Sequence, residues 1–251
     1  MRVCGRMAVG AAALIFGLGA AAAYAAPGVD LVAADNGLKA KIQAAGAAGR
    51  APPTLADDGA EVQGAYSLDA LATATSDIEG LLDICGAAYG SQAAYLTFGG
   101  DAAQPDQALA GRNEVRFQNE IAIGLRFDMA CFARAAPLLQ AFVAQLAPSD
   151  WTPTRRQGMA QMREGLTETF TGLATMAHDP ISLQNRETIL GAAASGAPAL
   201  IALMPLSERQ ALAVKIDQAL QEPGLSAALK ADLGSIRAAL TSTDCAGVCA
   251  L

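Results

Sequence analysis

The feature that most constrains this chain is a spacing. From Ser67 onward apolar residues recur three and four positions apart, and nowhere do they alternate with polar residues over a useful length. A recurrence near 3.6 gathers side chains on one face of a helix, whereas a half-buried strand needs a period of two. The fold class expected is therefore all-α, a single multi-helix domain of about six to eight helices.

Local signals divide that domain. Ser67 can cap a helix whose apolar positions run from Leu68 and Leu71 toward Ile78, Leu81, Leu82 and Cys85. Gly99-Gly100 and Pro105 then mark a loop. A long central helix is expected around 113–146, bent at Pro137, which lacks a backbone donor. Its residues Phe117, Ile121, Leu125, Met129 and Phe132 project onto one arc, with Arg112, Arg116, Glu120, Arg126 and Arg134 opposite. Asp128 lies at the edge of the apolar arc and is expected to reach solvent or pair with an arginine; the alternative is a desolvated acid with a raised pKa.

Thr152 and Pro153 open the next helix, striped by Met159, Met162, Leu166, Phe170, Leu173 and Met176, which is expected to fill core. A helical region from Ser182 to Met204 should break near Gly196 and Pro198. Ser207 and Gln210 form a capping-box pattern for a helix ending near Leu220. The last helix carries Leu225, Leu229, Leu233, Ile236 and Leu240.

The N-terminus reads as an export signal. Arg2 and Arg6 precede an apolar stretch from Met7 to Ala22, and Ala23-Tyr24-Ala25 fits the small-x-small cleavage rule. The expected partition is a signal peptide at 1–25, a flexible leader rich in Ala, Gly, Pro and Asp at 26–66, and a helical domain at 67–251. The apolar stretch is shorter than the ~20 residues that span a bilayer. No membrane span is expected after cleavage, and the location expected is periplasmic or extracellular.

Charge bears on partners. Removing Arg2 and Arg6 lowers the 17 basic residues to 15 against 24 acidic ones, so the mature chain carries about −9. Such a chain is repelled by phosphate backbones, and nucleic acid is excluded as a partner. The acidity is concentrated: between Arg50 and Arg112 no Lys or Arg occurs, while Asp57, Asp58, Glu61, Asp69, Asp77, Glu79, Asp83, Asp101 and Asp106 do. This segment is either a solvated face or a docking surface for a basic partner or for divalent cations. A calcium loop centred on Gly59 fails, because its first and last ligand positions are Thr54 and Ala65.

Enzymatic schemes find little material. His178 is the only histidine, so histidine-rich metal centres are excluded. It stands where a helix C-terminus is expected, a position that favours partial positive charge. No nucleophile elbow, P-loop, zinc-protease or dinucleotide motif occurs. Glu164 and Glu168, one turn apart, suit a solvated face better than glycoside hydrolysis. Neither cofactor nor metal is expected. The polar residues that could converge in an enzyme are Asp128 with Arg126, or Glu120 with Arg116.

Four cysteines remain after cleavage: Cys85, Cys131, Cys245 and Cys249. An even count in an exported chain indicates disulfides. Cys245 and Cys249 can close on each other in a short glycine-containing tail, leaving Cys85 and Cys131 to join two helices; one alternative links the tail cysteines to Cys85 and Cys131, and another, a C-x-x-x-C metal or redox site, lacks a nearby histidine or a paired second motif. Taken together, the sequence suggests a helical binding or scaffolding protein of the periplasm or exterior, with an unknown protein or envelope partner. The alternative is an envelope-acting hydrolase using carboxylates.

Overall fold

In the computed structural model, residues 30–101, 106–176 and 179–250 are described. The segment read as an export signal and His178 lie outside them. Among the described residues all regular structure is helical. In chain order the α-helices are α1 (Leu31–Ala47), α2 (Gly59–Ala65), α3 (Leu68–Thr73), α4 (Ile78–Leu96), α5 (Gln107–Arg116), α6 (Gln118–Gln145), α7 (Pro153–Ala174), α8 (Leu183–Ile201), α9 (Leu206–Leu220) and α10 (Ala227–Ala239).

The cap residues show why many of these helices start where they do. Asp30, Ser67, Asp77, Asp106, Thr152, Ser182 and Ser226 each accept a backbone N–H of the first turn through the side chain. Each satisfies a donor that the helix itself leaves unpaired. The cap at Ser67 holds as expected, but its helix stops at Thr73 and Asp77 caps a new one, α4. The α3 end is closed from outside: Arg134 of α6 donates to the carbonyls of Leu71, Ala74 and Thr75, the last two at 2.9 and 3.2 Å.

Helix α6 is the axis of the fold. It packs against α4 on one side and α8 on another, and buries Ile121, Leu125, Phe127, Met129, Cys131, Leu139 and Val143. At 28 residues it is long and apolar enough to cross a membrane, and this packing from several sides accounts for its composition. The expected helix over 113–146 is interrupted at Phe117, whose backbone leaves helical geometry at φ −110°, ψ 30°. The ring turns inward to meet Tyr95 and Phe98, both at 5.5 Å between centroids. Glu120, projected among arginines, is buried instead.

Three expectations need correction. The segment read as a leader carries α1 and α2, and Leu31, Leu38 and Ile42 of α1 are buried in the same core as the later helices. Seven-residue recurrence along an alanine-rich helix is enough to dock it on α4. The break at Gly196 and Pro198 does not occur, since α8 runs continuously from Leu183 to Ile201. A Cβ at Gly196 would stand 3.2 Å from Ala133 Cβ and 3.3 Å from the Met129 carbonyl oxygen. The glycine therefore lets α8 lie close against α6, and packing overrides its poor helix propensity. Finally, α9 starts at Leu206, so Ser207 lies inside the helix and does not cap it.

Both expected disulfides are present. Cys85 of α4 joins Cys131 of α6 with Cα atoms 5.7 Å apart, and Cys245 joins Cys249 at 5.2 Å. The methionine-striped helix also fills core: Met162, Phe170, Leu173 and Met176 are buried, with Met159 and Leu166 packed at the margin.

Candidate functional site

The most unusual chemistry in the molecule lies inside it, where α1, α4 and α6 meet. Ser91 and Gln92 are adjacent on α4, and consecutive residues of a helix point about 100° apart. Each therefore serves a different neighbour. Ser91 Oγ donates to Asp35 Oδ1 of α1 at 3.0 Å and stands 2.8 Å from Tyr66 Oη. Gln92 Nε2 donates to Asp128 Oδ2 of α6 at 2.6 Å.

The Gln92 contact depends on a glycine one turn before Asp128. A Cβ at Gly124 would lie 2.6 Å from Gln92 Cγ and 2.7 Å from its Cδ, so any side chain there would displace the amide. The Tyr66 ring rests 6.2 Å from that of Phe127, which closes the cluster on the α6 side.

Asp35, Ser91, Gln92, Asp128 and Tyr66 are all at most 3% exposed. Asp35 Oδ2 and Asp128 Oδ1 are buried without a hydrogen-bond partner among the described residues. Removal from water disfavours the charged carboxylate. Burial raises the Asp35 pKa from 3.8 to about 7, against the opposing hydrogen bond from Ser91. Burial likewise raises Asp128 well above the usual carboxylate range; the Gln92 bond opposes this, and nearby Asp35 adds to it. Tyr66 is pushed up as well, first by burial and then by the charges of its neighbours.

Tyr66, Ser91 and Asp35 thus form a hydrogen-bonded row ending in an acid that holds its proton in the folded state at mildly acidic pH. Two neighbouring carboxyls in one apolar setting resist ionising together. Both acids are sealed from solvent.

The sequence candidates are placed as follows. Asp128 neither reaches solvent nor pairs with an arginine; it is the desolvated acid. Arg126 is exposed on the far side of α6. Glu120 Oε1 accepts the Leu55 backbone N–H at 2.8 Å, while Arg116 lies 4.9 Å above the Phe117 ring and 5.6 Å from that of Phe98. Neither proposed pair converges. Glu164 is exposed and Glu168 half-buried on α7.

Asp35, Tyr66, Ser91 and Gln92 escape sequence reasoning. A signal existed for Asp35: with Leu31, Leu38 and Ile42 it forms a stripe at spacings of four, three and four, so a lone acid sits on an apolar face. Ser91 and Gln92 carry no comparable mark. Among the described residues no group of three or more His, Cys, Asp or Glu is placed to hold a metal ion. The chain matches no protein-family model, no curated protein and no solved structure.

Proposed function

We propose that this is an exported, non-enzymatic binding or scaffolding protein that docks a basic protein partner of the cell envelope through its acidic α2–α4 layer. The observation that carries the reading is the exposure of Asp58, Asp69 and Asp83 on successive parts of a stretch, Arg50 to Arg112, free of intervening Lys or Arg. A field of one sign steers and selects partners of the other. The layer is also held firmly: Cys85–Cys131 ties α4 to α6, and Arg134 ties down the end of α3. Export is supported by the N-terminal basic, apolar and small-residue order together with two disulfides, which suit an oxidising compartment.

The test is affinity capture from envelope extract with the wild-type chain and with a variant carrying Asp58→Asn, Asp69→Asn and Asp83→Asn. The expected result is a basic protein retained by the wild type, released by salt and lost with the variant. Equal capture by both would exclude the acidic layer as the docking face.

A further inference from the structure

Arg209 of α9 is 1% exposed, and its five N–H groups are all engaged, two between α8 and α9 and three at the C-terminal tail. Nε donates to the Met204 carbonyl at 2.9 Å; Nη1 donates to the carbonyls of Ser242 and Asp244 at 3.0 and 2.9 Å; Nη2 donates to Ala202 O at 3.1 Å. The fifth bond runs from Nη2 to Cys249 Sγ at 3.4 Å. Four neutral carbonyls and one sulfur therefore surround a buried guanidinium, and among the described residues no carboxylate is bonded to it.

The two sulfurs of Cys245–Cys249 are unlike. Cys249 is 4% exposed and lies against Arg209, whereas Cys245 is half-buried and follows the exposed Asp244. From α6, Gln140 accepts the Val248 N–H through Oε1 at 3.1 Å and brings no charge to the site. Among the described residues the charged groups are thus Arg209 at Cys249 and Asp244, which precedes Cys245 and whose carboxylate also acts on Arg209.

The geometry points to Cys245–Cys249 as a thiol–disulfide exchange site, in which an accessible thiol attacks Cys245 and Cys249 departs as a thiolate held by Arg209. The incoming thiolate forms a new S–S bond to Cys245 Sγ as the Cys245–Cys249 bond breaks, and the bonding pair leaves on Cys249 Sγ. A second thiolate then attacks the incoming sulfur of this mixed disulfide and releases Cys245, which takes up a proton. Two thiols become one disulfide, and the protein's cystine becomes two reduced cysteines. A leaving thiolate stabilised by a cation speeds the first step and favours the reduced form. The ring spans a sequence separation of 4, against 46 for Cys85–Cys131, so opening it restores much less chain freedom. The substrate class is an exposed thiol pair, and this role is separate from docking by the acidic layer.

Reduced glutathione is the probe, applied to the full oxidised protein and quenched by acid and alkylation before mass mapping. Glutathione should be found on Cys245 while Cys85–Cys131 remains closed. In the Cys245→Ser protein, thiolate absorbance should give Cys249 a pKa at least about one unit below the ordinary 8.5, and adding Arg209→Gln should return it to that value. Glutathione on Cys249, prior opening of Cys85–Cys131, an ordinary Cys249 pKa, or a depression that survives Arg209→Gln would each overturn the assignment.

Discussion

Asp35 and Asp128 sit on helices 93 positions apart in sequence yet are bonded by neighbours on one turn of α4, Ser91 Oγ to the first at 3.0 Å and Gln92 Nε2 to the second at 2.6 Å. The core is thus held in part by two acids that fold only in their protonated form without penalty.

That arrangement fixes the sign of the protein's pH dependence. Asp35 binds its proton with a pKa of about 7 when folded and 3.8 ordinarily. Between those values the folded state holds a proton that the unfolded state has lost, so stability falls as pH rises from about 4 to about 7. A shift of about three units corresponds to about 4 kcal/mol. Urea unfolding from pH 4.5 to 8 should show the decline, and Asp35→Asn should reduce it, leaving the part that Asp128, also raised by burial, contributes. A wild-type curve rising across that window would refute the burial argument.

Substituting Gly124 tests the Asp128 contact. Gly124→Ala should displace Gln92, leave a buried carboxyl without its donor, and cost about 1–3 kcal/mol despite better helix propensity. A neutral or stabilising change would show that Gln92 is not needed.

The α6–α8 contact makes a similar prediction. Gly196→Val pushes against Ala133 and the Met129 carbonyl, and overpacking of this kind costs about 1–3 kcal/mol. Thermal unfolding should shift downward; an unchanged midpoint would mean that α8 has room to move.

How much of this was legible beforehand depends on what each residue bonds to. Ser67 and Thr152 announce helix starts because capping is local, within three residues. Cys85 and Cys131 are the pair expected once the short tail closes on itself, with the links to the tail left as the alternative. Gly196 and Pro198 misled because propensity speaks of an isolated helix, whereas α8 is held by its neighbour. Arg209 was unreadable: its partners are mainly backbone carbonyls, which every residue offers. Asp35 lay in a segment read as a tether, since alanine supplies so little hydrophobic contrast that two leucines and an isoleucine had to carry the whole stripe.

Removing the inter-helix bridge should expose how the acidic layer is held. With a sequence separation of 46, chain entropy gives about 4 kcal/mol for Cys85–Cys131. The double variant Cys85→Ala and Cys131→Ala should lose about that much. Its amide exchange should quicken first in α3 and α4, while α8 and α10 stay protected. Uniform loss of protection would instead make the bridge a brace for the whole domain.

The claim on which the rest depends is that the chain is exported and oxidised with its acidic layer bolted to α6. Non-reducing peptide mapping of protein recovered from the periplasmic or external fraction tests it most directly. The account predicts an N-terminus at Ala26, one linked peptide joining Cys85 to Cys131, and a closed Cys245–Cys249 ring. An intact Met1 in that fraction, free thiols at Cys85 and Cys131, or a link from either of them to the tail would contradict it.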